Sequence, residues 1–223
     1  MKARPLLLGH RGASKYAPEN TIAAFDLALE HGCDGFEFDV RYTRDGRSVI
    51  CHDPHNQRRR IDTCSSDELN LPGAEDVVRD YGTRSYLDVE LKVLGDAGAV
   101  LGALQTVPPD RYIISSFLPE VLKRLSAGQQ AVPLGLICET SRQLQHSLVL
   151  PLQAVMIQSK LASNALIEEL HAAGRQVFIW TVNKEPEMRS FAELGVDGLI
   201  SDDTRLLART FGGPPRVKTG VRG

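Results

Sequence analysis

Two acids and an imidazole crowd one short stretch of this chain. Glu37 and Asp39 alternate with Phe36, Phe38 and Val40, and His52 follows just past the turn signal Asp45-Gly46. That alternation marks a strand, and its period of two puts Glu37 and Asp39 on one face. Asp-Gly favours a two-residue hairpin turn, which sets Asp39 opposite His52. Building a strand gives no reason to collect two carboxylates and an imidazole on one face. A divalent cation with a catalytic histidine beside it does.

Elements with the right spacing run through the whole chain. Short β-rich runs fall at 5–9, 35–40, 86–91, 112–115, 133–138, 154–158, 176–180 and 198–200. Helical patterns alternate with them at 20–31, 74–81, 96–106, 119–127, 142–147, 164–173, 186–194 and 204–210. Eight strands, each followed by a helix, in 223 residues predict an α/β chain folded as a (β/α)8 barrel. The hairpin is then an extension of the second strand, followed by a short cap. A doubly wound open sheet is the rival architecture. Gly32, Gly174 and Gly195 close helices as left-handed C-terminal caps. The catalytic domain spans 1–211, and the Gly-, Pro- and basic-rich tail over 212–223 is expected to be disordered.

Active sites of such barrels lie at the C-terminal strand ends. Those ends carry His10 and Arg11, then Glu37 and Asp39, then Glu90 and Lys92, and later Glu139, Trp180 and Asp202. In the third strand Leu87, Val89 and Leu91 take one face, while Asp88, Glu90 and Lys92 take the face toward the barrel axis. Glu37, Asp39 and Glu90 thereby offer hard oxygen ligands for one Mg2+, Ca2+ or Mn2+. His10 and His52 can act as general acid and base. Arg11 and Lys92 can hold an anionic group. Together these suit attack on a phosphodiester.

The same residues carry a resemblance. His10-Arg11-Gly12, Pro18-Glu19-Asn20-Thr21, Glu37-x-Asp39-Val40, Thr43-x-Asp45-Gly46, His52-Asp53, Glu90-Leu91-Lys92 and Trp180-Thr181-Val182-Asn183 stand in the order seen in glycerophosphodiester phosphodiesterases. The stretch from Gly195 to Asp202 is similar to that family's C-terminal signature. The resemblance implies a (β/α)8 barrel that uses one divalent cation to cleave glycerophosphodiesters to glycerol 3-phosphate and an alcohol. It implies metal binding by Glu37, Asp39 and Glu90, acid–base roles for His10 and His52, and phosphate binding by Arg11 and Lys92. It also implies a route in which a glycerol hydroxyl attacks phosphorus and water opens the cyclic phosphate. The chain departs from the family after His52-Asp53, where Pro54-His55-Asn56-Gln57 and Arg58-Arg59-Arg60 replace a longer insertion. A reduced cap bears on headgroup specificity.

Other positions have more than one reading. Asn20 fits a helix N-cap, and its amide can also reach the phosphate. Trp180 reads as a wall of the substrate pocket that packs on the glycerol moiety, or as core. Asp53 can orient His52 or end the strand. Lys92 can be a counter-ion for Glu90, and Glu139 can touch a substrate hydroxyl or a lysine. Arg58, Arg59 and Arg60 form a solvated face near the mouth. His31 and His171 suit helix C-termini.

The formal net charge of −2 argues against nucleic acid or an anionic membrane as the main partner. Cys33, Cys51, Cys64 and Cys138 are scattered without a CxxC pair and read as reduced thiols, which suits the cytoplasm. The expected partner is a small-molecule glycerophosphodiester, with no stable membrane insertion. Two alternatives remain: a phospholipase-type barrel phosphodiesterase acting on lysophospholipids, and a non-catalytic phosphate-ligand binding protein. The latter would be marked by loss of a histidine or metal ligand, and all are present.

Overall fold

The computed structural model describes residues 4–128 and 131–212. In chain order the elements are β1 (Leu6–Gly9), α1 (Ile22–Glu30), β2 (Gly35–Tyr42), β3 (Ser48–Ile50), β4 (His55–Asn56), β5 (Arg59–Arg60), α2 (Ala74–Tyr81) and β6 (Tyr86–Leu91). They continue as α3 (Gly98–Leu104), β7 (Tyr112–Ser116), α4 (Pro119–Ser126), β8 (Leu134–Cys138), α5 (Ser141–Leu144), β9 (Ala154–Gln158), α6 (Asn164–Ala172), β10 (Gln176–Trp180), α7 (Glu185–Glu193), β11 (Gly198–Ser201) and α8 (Thr204–Thr210). Strands β1, β2 and β6 to β11 pair in parallel in that order, and β1 also pairs with β11, so the sheet closes. This is the (β/α)8 barrel the alternation predicts. The tail expected over 212–223 lies, beyond Gly212, outside the described residues.

Alternation along each strand sorts side chains into two layers. Outward residues such as Leu7, Phe36, Phe38, Leu87 and Val89 pack beneath the helices. Phe25 of α1 stacks on Phe36 with ring centroids 4.3 Å apart. Inward residues Leu8, Ile113, Ile137, Met156, Phe178 and Ile200 fill the barrel. Glycines make room for the largest of these: a Cβ on Gly198 would sit 2.1 Å from the Phe178 ring, and one on Gly135 would sit 2.7 Å from Met156.

Helix boundaries follow their caps. Thr21, not Asn20, is the N-cap of α1, its hydroxyl accepting from the Ala24 amide at 3.2 Å. The fifth helix, expected over 142–147, is one α turn that tightens into a 3-10 turn at Gln145–Leu148. It starts at a Thr140–Gln143 capping box. Gly32, Gly174 and Gly195 all have positive φ, as a left-handed cap requires.

The hairpin register differs from expectation by one residue. β2 and β3 pair Val40 with Ile50, Arg41 with Val49 and Tyr42 with Ser48. The connection has three residues rather than two, with Gly46 at φ 77° and its amide donating to the Thr43 carbonyl. Thr43 decides this. Its hydroxyl donates to Asp45 at 2.5 Å and accepts from the Arg47 amide at 3.0 Å, which locks the longer turn. Asp39 therefore faces Cys51, whose amide donates to the Asp39 carbonyl, and His52 lies one residue beyond. The guanidinium of Arg41 holds the His52 carbonyl at 2.9 and 2.7 Å.

The cap that follows is short but has its own core. Val49, Ile61, Cys64 and Leu69 are buried together, and β4 pairs with β5 as a two-stranded ribbon. Arg58, Arg59 and Arg60 are exposed, as expected. Arg60 pairs with Asp62, and Arg59 donates to the Glu68 carbonyl.

Candidate active site

Loops at the C-terminal rim converge on a cavity of about 190 Å³. His10, Arg11, Glu37, His52, Glu90, Lys92 and Trp180 all line it, so seven of the nine residues singled out from sequence meet in one place. Asp39 and Asn20 lie behind this surface, 1% and 6% exposed.

The three acids form one cluster. Glu37, Asp39 and Glu90 each offer an oxygen, and these oxygens lie within 4.8 Å of one another. Period two on β2, and the parallel pairing of Asp39 with Glu90 on β6, put them there. Their support is specific. Glu37 Oε2 accepts from the Arg11 backbone amide at 2.8 Å. Arg11 adopts φ 56°, a strained value for a non-glycine residue that turns this amide into the site. Asp39 Oδ2 accepts from Asn20 Nδ2 at 2.7 Å, and Asn20 Oδ1 accepts from the Asp39 amide at 3.3 Å. Asn20 thus clamps a member of the acid cluster and neither caps α1 nor faces the cavity. Lys92 Nζ lies 2.7 Å from Glu90 and 3.2 Å from Asp39, while Arg11 Nε lies 3.3 Å from Asp39.

Fixed positive charge does not match the buried acids. Asp88 lies on the same inward face, 1% exposed, with Ser115 Oγ donating to it at 2.6 Å. Burial, with the charges of Asp39, Glu90 and Asp88, pushes the Glu37 carboxyl well above the usual range despite Arg11. Burial and the charge of Asp39 push Glu90 up to about 7 against the pull of Lys92. Burial pushes Asp88 up to about 7 against the Ser115 hydrogen bond. Asp39 goes the other way: burial opposes its ionisation, but Lys92, Asn20 and Arg11 outweigh it. Glu37 Oε1 is buried with no hydrogen-bond partner. An orphaned carboxylate oxygen beside two other acids fits a hard divalent cation, so this cluster can coordinate one.

Both imidazoles are tethered through Nδ1. His10 Nδ1 lies 2.7 Å from Asp202 Oδ1, and His52 Nδ1 lies 2.9 Å from Asp53 Oδ1. Each tether favours the tautomer whose Nε2 is an acceptor. Asp53 contacts His52 directly, the geometry that an orienting role requires. Asp202 had no role assigned from sequence. Its burial opposes ionisation, but hydrogen bonds from His10, Asn183 and Ser14 and the charge of His10 bring it down to about 2. Asn183 Nδ2 donates to Asp202 Oδ2 at 2.6 Å, while Asn183 Oδ1 accepts from the Asp202 amide at 3.0 Å. The available signal was position: Asp202 follows the eighth strand, next to His10 across the closing seam. Nothing in residue spacing reveals that seam.

Trp180 forms part of the cavity wall, its Nε1 donating to the Met156 carbonyl at 3.2 Å. Phe117, which sequence reasoning overlooked, packs edge-to-face on it at 5.4 Å. Glu139 also lines the cavity and makes no ion pair with a described residue, so a lysine partner is not found. His31 contacts Thr204, and His171 contacts Asp197, both away from the cavity as expected. A wider groove of about 400 Å³ between α3 and α4 lies outside the barrel and gathers no catalytic groups.

Acids that can coordinate a cation, with two imidazoles, Arg11 and Lys92 around the same cavity, suit a barrel hydrolase that acts on a phosphate group. The chain matches the Glycerophosphoryl diester phosphodiesterase family over residues 10–80 and 86–206 and belongs to that family, as an enzyme of the phosphodiesterase type. It is 29% identical over 234 residues to a glycerophosphodiester phosphodiesterase of Caldanaerobacter subterraneus subsp. tengcongensis, covering 92% of this chain and 96% of that one. Solved structures share the fold. A glycerophosphodiester phosphodiesterase from Thermotoga maritima superposes with a TM-score of 0.81 at 24% identity, covering 94% of this chain and 99% of its own. A phosphodiesterase from Oleispira antarctica, in complex with the product sn-glycerol-3-phosphate, gives 0.82 at 24% identity, covering 94% and 97%.

Proposed function

We propose that this enzyme hydrolyses glycerophosphodiesters to glycerol 3-phosphate and an alcohol, with Glu37, Asp39 and Glu90 holding one Mg2+, Ca2+ or Mn2+. The observation that carries the reading is the shared cavity: two tethered imidazoles, a three-acid cluster and two fixed cations line or underlie one space. Arg11 and Lys92 bind the phosphate and offset its charge. A bound cation would add positive charge against the phosphoryl oxygens.

His10 and His52 move the protons. One imidazole Nε2 takes the proton of a glycerol hydroxyl as that oxygen bonds to phosphorus. The bond to the leaving alcohol breaks, and the other histidine protonates the departing oxygen. Water then attacks the cyclic phosphate with the two roles exchanged, as microscopic reversibility suggests. Asp202 and Asp53 position the rings and stabilise each imidazolium. An analogue lacking the attacking hydroxyl should be inert, and its rapid turnover would rule this route out.

The single catalytic domain runs through residue 211. We place the enzyme in the cytoplasm. Its four cysteines are free, and among the described residues no helix is long and apolar enough to cross a membrane. The decisive assay is release of glycerol 3-phosphate from glycerophosphocholine and glycerophosphoethanolamine, first in EDTA and then with each ion added. Metal-restored release is expected. No release with any ion would overturn the reading.

A further inference from the structure

The two imidazoles are supported unequally. His10 follows directly on β1: its amide donates to the Ser201 carbonyl at 2.9 Å, and its ring meets Asp202, which Asn183 and Ser14 also hold. His52 stands past the end of β3. The last ladder bond before it runs from the Cys51 amide to the Asp39 carbonyl, and the chain is next held at Pro54, whose carbonyl accepts from the Ile61 amide. Among the described residues neither the amide nor the carbonyl of His52 pairs with another backbone group. Its ring partner Asp53 is its neighbour in sequence, with a side chain 73% exposed. That tether orients the ring without fixing where the residue sits.

Arg41 supplies the anchor. Period two along β2 carries the face of Glu37 and Asp39 on to Arg41. There β2 pairs with β3, with Arg41 opposite Val49. From that paired strand Nε and Nη2 both donate to the His52 carbonyl, at 2.9 and 2.7 Å. Hydrogen bonds from a charged donor are stronger than neutral ones, and two donors of one planar fork fix direction as well as distance. Arg41 does not line the cavity, so it is not placed to hold substrate. We infer that Arg41 is a positioning residue for His52, setting the imidazole at the cavity through its grip on the backbone. A misplacement of about 1 Å can cost roughly 10²-fold in rate, so an arginine away from the reacting atoms can govern turnover. This inference rests on the phosphodiesterase reading above, in which His52 moves a proton.

The test is a double-mutant cycle between Arg41→Ala and His52→Ala on glycerophosphoethanolamine with saturating Mg2+, Ca2+ or Mn2+. Arg41→Ala alone should lower kcat by about 10- to 10²-fold, with KM and metal affinity little changed. The two losses should not add: the double variant should match His52→Ala, because Arg41 then has no ring to place. Arg41→Lys keeps the charge but offers a single point donor, and it should recover part of the loss. If Arg41→Ala does not fold, Arg41→Lys carries the same cycle with a smaller loss that should likewise not add. A near-wild-type kcat in Arg41→Ala would overturn the inference. So would additive losses, or a parallel loss of metal affinity in calorimetry, because Arg41 would then serve the fold or the acid cluster. Histidine-ring NMR gives an independent reading, with each signal identified by its absence from His52→Ala or His10→Ala. Arg41→Ala should shift or broaden the His52 signal and leave the His10 signal in place, and an unmoved His52 signal would overturn the positioning role. Wild type inactive on glycerophosphodiesters with every ion would instead overturn the phosphodiesterase reading, and the NMR comparison would still judge Arg41.

Discussion

The two sides of the barrel interior are built on opposite terms. From β2, β6 and β7 come Glu37, Asp39, Asp88, Glu90 and Ser115, with Ile113 of β7 as their apolar neighbour; from β8 to β11 and β1 come Ile137, Met156, Phe178, Ile200 and Leu8. Both sets are almost fully buried, so burial alone does not distinguish them. Apolar side chains gain about 25 cal/mol for each Å² removed from water. Carboxylates lose free energy there, and the raised proton affinities of Glu37, Asp88 and Glu90 express that loss. One side stabilises the fold, and the other keeps unmet charge at the point where a cation and a phosphate are to bind. The comparison teaches that function is located by burial that costs, not by burial as such.

Single substitutions on each side should break differently. On the acid side Glu37→Ala should remove metal affinity and turnover together, with a loss of roughly 10³-fold or more in kcat. His10→Ala should cost about 10²- to 10⁴-fold while leaving metal affinity intact. Isothermal titration with metal, run beside the glycerol 3-phosphate assay, separates the two. A near-wild-type rate in His10→Ala would sink its acid–base role. On the apolar side Phe178→Ala should instead lower stability by about 3–5 kcal/mol, read from urea denaturation. If Phe178→Ala proved no less stable than wild type, the division between the two sides would fail.

Asp202→Asn sharpens the picture at the barrel seam. Asparagine keeps the size but cannot stabilise a protonated His10, and its amide can donate where the carboxylate only accepted. We expect kcat to fall by about 10²-fold with KM little changed, because the ring is misoriented rather than absent. The pH–rate profile should shift as well, a change that a purely structural role would not produce. Loss confined to KM would show that Asp202 contacts substrate instead.

Legibility from sequence followed the range of the interaction. All eight barrel strands could be read, because period-two alternation and buried apolar runs are local signals. The acid cluster could be read because Glu37 and Asp39 share a strand face and Glu90 recurs at the same level of the next barrel strand. The hairpin register could not. Asp45-Gly46 suggests a two-residue turn, and only the Thr43 hydroxyl, bonded on both sides of the loop, selects three. Asn20 looked like a cap because Pro18-Glu19-Asn20-Thr21 reads as a helix start. The next residue takes that job, and Asn20, at φ 59°, turns inward to Asp39. Asp202 pairs with His10 across 192 positions and only where the barrel closes, so no window along the chain can show that contact.

The mildest expected effect concerns the acid side without its cation. Glu90 titrates near 7 in the folded, metal-free protein, against about 4.3 for an unfolded glutamate. Asp88 is raised in the same direction. A carboxyl whose folded proton affinity exceeds its unfolded one binds more protons folded than unfolded between those two values. Stability therefore falls as pH rises through that window and levels off above it. In EDTA the Tm should drop from pH 5 to pH 8 by a few degrees. Glu90→Gln should flatten the drop by removing one of the titrating groups. Saturating metal should reduce it too, because a cation that binds the ionised acids stabilises the folded state most where they are charged. A metal-free Tm that rises steadily over the same range would mean that Lys92 and Arg11 already compensate these carboxylates, and the contrast between the two sides of the barrel would then be one of shape alone.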